Sequence, residues 1–516
     1  MSAPRRLGPL ATASALALGI AAAAVAGSGG LDPTFGVNGR TSLSPFVESY
    51  ASSIAVQPDG KLVLAGTADD EAPPPPPPPA PEGLRSSNPD FLAVRLMPNG
   101  SIDQTFGAGG AVRTPVVAGA QPWEGASAVA VGADGSIVAA GFAASATGTD
   151  LAIVRYTSSG ALDPTFSEDG IWTLDLGQSD GANGVSVQPD GKLVVVGRGA
   201  SGFTVLRLLA NGELDPTFAS GGVATSTLAD PSLEDEASAV LLRGDKIVVA
   251  GTADTTNPTR SRIAVVRYLA NGRLDQSFGT GGVVIAEGHG DRAWALAAAP
   301  EGKIVVVGRN GASQYRVVRL LVDGRLDRSF GGSGVVETRF EGLAANALGV
   351  AVQADGKIVV AGTGLSYNES AFTAARYRDD GVLDPSFGSG GKAVYDLPTI
   401  RLWGAGMAIQ RSLDPQMAGR LVIAGQTFEG TADHIVALGI DLGELEAPPP
   451  PIRCVVPRVV RLTIAKARRK IRRANCSVGR VRRVKARRLR GIVISQSPRA
   501  GRRLRRGARV KLVVGR

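Results

Sequence analysis

The stretch Ala270-Asn271-Gly272-Arg273-Leu274-Asp275-Gln276-Ser277-Phe278-Gly279 recurs along this 516-residue chain and narrows what it can fold into. Its Leu-Asp-x-x-Phe core, once with Ile for Leu, begins at Leu31, Ile102, Leu162, Leu214, Leu274, Leu326 and Leu383, at spacings of 71, 60, 52, 60, 52 and 57 residues. A second signature, a Gly-Lys-like turn followed by an apolar run and a Gly, starts at Gly60, Gly135, Gly191, Asp245, Gly302, Gly356 and Gly419. Two signatures alternating seven times each mark a repeat protein whose units bury their apolar faces on one another.

The copy from Glu236 to Gly288 reads as four strands. Ala237–Leu242 is a β-prone run, Ile247–Gly251 a mostly apolar strand covered on both faces, Ile263–Tyr268 a third and Val283–Ile285 a fourth, with Leu274–Phe278 a packed corner. Four short strands in ~50–60 residues make the unit of a β-propeller blade. Gly at 68 positions supplies the tight turns, and helix-period patterning is absent. A lone fourth strand, Arg40–Leu43, precedes the first complete repeat, and the last copy lacks one before Pro448. The surplus matches the deficit. The fold class expected is an all-β, seven-bladed propeller closed by an N-terminal strand, with no free edges.

These repeats resemble the delta-60 family of bacterial propeller-like repeats. The likeness rests on Asp190-Gly191-Lys192 with Arg207 and Leu214-Asp215-Pro216-Thr217-Phe218, and on Asp355-Gly356-Lys357 with Arg376 and Leu383–Phe387. Departures are Ser136 for Lys, Arg243-Gly244-Asp245 for the usual turn, and Ala437 where other blades place Arg. The resemblance implies a fold and no settled activity. Arg267 with Asp275, Arg319 with Asp327 and Arg376 with Asp384 are each eight residues apart. They could form a ring of ligand contacts or metal carboxylates. Sevenfold repetition favours architecture, with Asp capping the corner, Arg pairing with it and Phe wedged between blades. The Asp-Gly-Lys sets read as hairpin turns, since no 12-residue carboxylate series for calcium accompanies them.

Residues 1–26 read as a secretory signal: Arg5 and Arg6, then an apolar Leu10–Val25, then Ala24-Val25-Ala26. No later stretch is long and apolar enough to span a bilayer, so the expected location is secreted. The propeller is expected over 27–446, with a proline-rich insert at 70–89, where Pro73–Pro79 forms a polyproline II rod roughly 20 Å long. Residues 447–452 form a proline linker, and 453–516 a separate module. That module carries 24 Lys and Arg and no Asp or Glu, whereas the rest has 32 basic and 46 acidic residues. Two bodies of opposite charge are joined.

Within the module, Thr463 is a plausible helix N-cap, and Ile464, Ala467, Ile471 and Ala474 fall on one helix face. Asn475 suits the helix stop, and 478–484, 492–496 and 510–514 read as strands. The segment resembles a PASTA domain through Val456-Pro457, Val459-Val460-x-Leu462-Thr463, Ala465, Gly491, Val493, Gln496, Pro498, Gly501, Gly507, Val510, Leu512 and Val514. That likeness implies a small α+β fold and recognition of peptidoglycan or cell-wall polymers. The two cysteines, Cys454 and Cys476, bracket the first strand and helix, placed to form a disulfide. Candidate polyanion-binding residues are Lys466, Arg468, Arg469, Arg472, Arg473, Arg482 and Arg483. Nucleic acid is disfavoured as a partner, because 453–516 has no Phe, Tyr or Trp for base stacking.

Catalytic signatures are sparse. His289 and His434 are the only histidines and share no metal-ligand spacing with another His or Cys. No nucleophile elbow, His-Glu-x-x-His or Walker-type loop occurs. The expectation is a non-catalytic scaffold without metal or cofactor: the basic module holds anionic wall polymer or peptidoglycan, and the propeller face offers a platform to a protein or glycan. Two alternatives are an exported polysaccharide lyase or hydrolase with its site in the channel, and an envelope sensor whose acidic propeller docks on its own basic tail.

Overall fold

Alternation along each second strand explains how the sheets assemble. Leu62 and Leu64 point into one hydrophobic cluster and Val63 and Ala65 into the next, so one strand feeds two interfaces and is apolar throughout. The structure is a computed structural model that describes residues 28–46, 48–69, 89–117, 123–146, 148–177, 179–199, 202–228, 235–253, 260–366, 370–396, 405–410, 419–429, 432–443, 454–474, 476–504 and 508–516. The expected signal sequence at 1–26, the Pro73–Pro79 run, the expected proline linker at 447–452 and Asn475 lie outside these residues.

Among the described residues, seven antiparallel four-stranded sheets follow one another. Blade 1 comprises Glu48–Val56, Leu62–Asp69, Asp90–Leu96 and Ala111–Thr114. Blade 2 comprises Gly125–Val131, Ile137–Ala144, Thr149–Tyr156 and Ile171–Leu174, and blade 3 Gly181–Val187, Leu193–Arg198, Phe203–Leu208 and Val223–Ser226. Blade 4 is Glu236–Arg243, Lys246–Ala253, Arg262–Tyr268 and Val283–Ile285. Blade 5 is Arg292–Ala298, Ile304–Arg309, Tyr315–Leu320 and Val335–Thr338. Blade 6 is Ala344–Val352, Ile358–Leu365, Ser370–Tyr377 and Lys392–Asp396.

Blade 7 takes Ala405–Gln410, Arg420–Glu429 and Ala432–Asp441 from the end of the ring and Arg40–Leu43 from its beginning. Arg40 pairs opposite Leu438 and Leu43 opposite Ile435. Seven hydrophobic clusters join successive blades, and the one between blades 7 and 1 closes the circle with Phe35, Leu62, Val422 and Ile435. The sequence arithmetic of surplus and deficit is met strand for strand.

One departure was misplaced. Leu421 pairs with Ile440 and Val422 with Gly439, as Ile247 pairs with Tyr268 and Val248 with Arg267. Gly439, not Ala437, therefore occupies the arginine position of blade 7. The misreading came from aligning an apolar run without its register. A Cβ on Gly439 would lie 2.5 Å from Phe35 and 2.8 Å from the Arg420 side chain. Arg420, at the usual lysine position, fills that space.

In the C-terminal module the helix spans Ile464–Arg473, and the Thr463 side chain accepts from the Lys466 amide. Ala467 and Ile471 are fully buried against Val459, Val493, Val510 and Leu512. Ser477–Val484, Arg509–Gly515 and Val493–Ser497 form a three-stranded sheet with Arg509–Gly515 central, and Cys454–Val455 pairs with Arg503–Leu504. Cys454 and Cys476 are disulfide-bonded across a separation of 22 residues. Reduction of the full-length protein should lower the stability of this module by about 3 kcal/mol in the loop-entropy model. The ring's own transition, read separately in a calorimetric scan, should stay where it was.

Candidate functional site

Three groupings of polar residues compete for a functional role: the repeated corners, the central channel and the cationic C-terminal surface. At the corners, Arg95–Asp103, Arg155–Asp163, Arg207–Asp215, Arg267–Asp275, Arg319–Asp327 and Arg376–Asp384 all pair through Nε at 2.8–2.9 Å. Each guanidinium lies over the corner Phe, 4.4–5.0 Å from the ring centre. Each also donates to a backbone carbonyl of the following blade: Ser158, Ala210, Ala270, Val322, Asp379 and Leu442. The second carboxylate oxygen accepts from a Ser or Thr two residues on, as Ser329 does at 2.6 Å to Asp327. In five blades the turn lysine joins, as Lys303 does at 3.0 Å from Asp327.

Burial opposes ionisation of Asp327, but the Ser329 hydroxyl, Lys303, the Ser329 amide and Arg319 together hold its carboxyl down at about 2. With both oxygens committed, a corner Asp has nothing to offer a ligand. Among the described residues no three His, Cys, Asp or Glu side chains gather around a point where a metal could sit. Blade 7 rebuilds the same corner from other parts. Arg420 contacts Asp32 at 2.6 Å, donates to the Thr34 hydroxyl and the Pro98 carbonyl, and covers Phe35 at 5.1 Å.

The first strands of all seven blades surround the axis and line a cavity of about 1110 Å³. Six of them carry a β-bulge after a repeated Ala, and the bulged residues Ser52, Ser127, Asn183, Ser238, Trp294 and Leu348 all line the cavity. A bulge re-aims one side chain while leaving the sheet intact. One rung before that Ala, the repeats stop repeating. The cross-strand pairs there are Tyr50 with Thr67, Gly125 with Phe142, Gly181 with Arg198, Glu236 with Thr252, Arg292 with Arg309, and Asn346 with Thr363. An invariant frame thus presents a ring of differing side chains.

Much of the lining is Gly, Ala and Ser, and Glu236 is its one carboxylate among the described residues. Asn183 donates to Glu236 at 3.0 Å and to the Ala237 carbonyl at 3.0 Å. Neither histidine lines the cavity. His289 is an exposed loop residue, and His434 contacts Ser44, just past the end of the closing strand. This rung was missed in sequence reasoning, although lining up the residue after each apolar-run Gly (Thr67, Phe142, Arg198, Thr252, Arg309, Thr363 and Gln426) reveals it.

On the C-terminal module, Lys466, Arg468, Arg469, Arg472 and Arg473 are exposed along the helix. Arg482 and Arg483 are exposed on Ser477–Val484, the strand against which that helix packs. All seven predicted residues are open to solvent on two neighbouring elements.

Family models match PASTA over residues 455–516 and the β-propeller domain of unknown function DUF5122 over 83–106, 132–166, 188–218, 245–278, 299–330 and 353–387. The chain is a DUF5122 β-propeller with a PASTA domain. The six DUF5122 segments end at the corners of blades 1 to 6. Blade 7 has no matched segment: its corner comes from Leu31–Phe35 and Gly439 replaces its arginine.

Solved structures similar to the DUF5122 propeller include virginiamycin B lyase from Staphylococcus aureus, at 11% identity and TM-score 0.42 over 78% of this chain and 98% of that one. A protein from Lactobacillus plantarum aligns at 15% identity and TM-score 0.38, covering 67% and 88%. The α-L-arabinofuranosidase Arb93A from Fusarium graminearum aligns at 12% identity and TM-score 0.34, covering 81% and 98%. At such values none lends an activity to the DUF5122–PASTA chain. No curated protein matches it.

Proposed function

We propose that this protein is an exported, non-catalytic binding protein. Its PASTA domain holds it to peptidoglycan or an anionic wall polymer, and its propeller serves as the platform that meets a further partner. The observation that carries the reading is the charge division: 24 cations without one carboxylate over residues 453–516, against 46 acidic and 32 basic residues over 1–452. A module so charged repels itself internally unless anions neutralise it. The disulfide between Cys454 and Cys476 fits an oxidising compartment, and among the described residues no helix is long and apolar enough to cross a membrane.

Full-length protein should be retained on purified cell walls at low salt and released as ionic strength rises, because exposed charges are screened beyond about 8 Å at physiological salt. Replacing Arg468, Arg469, Arg472 and Arg473 together by Gln should move release to several-fold lower salt. Equal retention of the variant, or none by the parent at low salt, would refute anchoring. A channel enzyme is the weaker reading, since Glu236 lacks a second carboxylate or a histidine beside it in the described lining.

A further inference from the structure

The six corner arginines and Arg420 are each paired with a carboxylate. Two arginines of blade 5, one of them in the channel lining, depart from that rule. Arg292 and Arg309 stand directly opposite each other in the antiparallel pair of blade 5. Residues so placed share a face with Cβ atoms about 5 Å apart, and like charges there repel. Both side chains are half-buried, and among the described residues neither Nε has a hydrogen-bond partner.

The acids that could neutralise them are engaged elsewhere. Asp291 and Glu337 lie against Arg316 at 2.9 and 2.6 Å, and Glu236 accepts from Asn183. The guanidinium of Arg309 lies 5.9 Å from the centre of the Trp294 ring. Arg292 and Trp294 both line the channel cavity, as does Asn346, whose buried Oδ1 also lacks a partner among the described residues. Arg198, at the same rung of blade 3, instead donates to the Ser179 carbonyl. Burial and the charge of Arg292 push the pKa of Arg309 below the ordinary guanidinium range, the expected cost of two cations held together without an anion.

We propose that Arg292, Arg309 and Trp294 form an anion-binding site at the channel, whose ligand is an acidic saccharide. Its carboxylate or phosphate would bridge the two guanidinium groups, and a sugar face would lie on the indole. Planar guanidinium groups match both oxyanions in a two-pronged fashion. Ser238, in the same lining, would offer its hydroxyl to a sugar oxygen. The cavity has room for more than one sugar ring. This assigns a ligand class to the platform proposed above and rests on that reading only for its biological setting.

Calorimetric titration of the full-length protein with sodium galacturonate, glucose 6-phosphate, galactose and glucose, at matched ionic strength, tests it. Binding of one or both acidic sugars is expected, with at least tenfold weaker binding of their neutral counterparts; which acid binds decides between carboxylate and phosphate. Arg292→Gln/Arg309→Gln should lose at least tenfold in affinity yet melt no lower than the parent without ligand, since it relieves a like-charge contact. The single Arg309→Gln variant should give the same pattern at reduced size. Trp294→Ala should weaken the sugars more than inorganic phosphate. The fourfold PASTA-domain variant should lose wall retention and bind the acidic sugars as the parent does. Equal binding by the Arg292/Arg309 variant, or equal binding of neutral sugars, would overturn the site without touching the anchoring proposal.

Discussion

Asp327→Ala is expected to destabilise the propeller by about 3–5 kcal/mol, the cost of removing one partner of a buried ion pair. Arg319 is 1% exposed and Lys303 sits 3.0 Å from the same carboxylate, so the substitution takes the buried counter-charge from two cations in the wall between blades and leaves Arg319 only the more exposed Asp379 at 2.7 Å. It also frees the Ser329 hydroxyl and amide, which both donate to Asp327. Equilibrium urea unfolding measures the loss, and Asp323→Ala, at an exposed turn, is the control expected to fall within about 0.5 kcal/mol.

The sign of the pH dependence follows from the same contacts. Asp275, Asp327 and Asp384 are held at about 2, below the ordinary 3.8, so their stabilisation is present above pH 3.8 and is lost as pH falls towards 2. The parent ring should therefore weaken through that window, and Asp327→Ala should show a shallower acid limb. Unchanged stability, or an acid limb as steep as the parent's, would rule out the corner as a structural anchor.

Deleting residues 28–43 should do more damage still: the ring should no longer unfold in one cooperative transition, and the chain should aggregate. The deletion uncovers the strand Ala432–Asp441 along the edge that pairs with Arg40–Leu43. It removes Phe35 from the cluster between blades 7 and 1 and leaves Arg420 without Asp32. A synthetic peptide covering residues 28–46, added during refolding, should restore a soluble monomer by size-exclusion chromatography and near-ultraviolet circular dichroism. A shortened chain that melts cooperatively at the parent temperature would mean that closure contributes little.

Why some of this was legible in the sequence and some was not comes down to repetition. Leu-Asp-x-x-Phe and the apolar runs recur because every blade faces the same packing problem, so one copy explains seven and a surplus strand at Arg40 reveals the closure. The pairing of Arg with Asp eight residues on was readable for the same reason. Blade 7 resisted, because Gly439 and Arg420 trade places across two strands and only register shows it. Arg292 and Arg309 resisted for the opposite cause: as a pair they are unlike the pairs at that rung of the other blades and they lie 17 positions apart, so only the ladder brings them face to face. The basic surface of the PASTA domain needed no fold at all, since a stretch with no acid is charged however it folds.

The latch between Arg40–Leu43 and Ala432–Asp441 also sets a timetable. A polypeptide that emerges from the ribosome, or through a narrow pore, yields Arg40–Leu43 well before its mate Ala432–Asp441. Six blades can take shape while the earlier piece waits without a neighbour, so the circle cannot be completed until Ala432–Asp441 has emerged. Until then the molecule has two sticky margins, and any helper that shields nascent chains would be needed most at that unfinished seam.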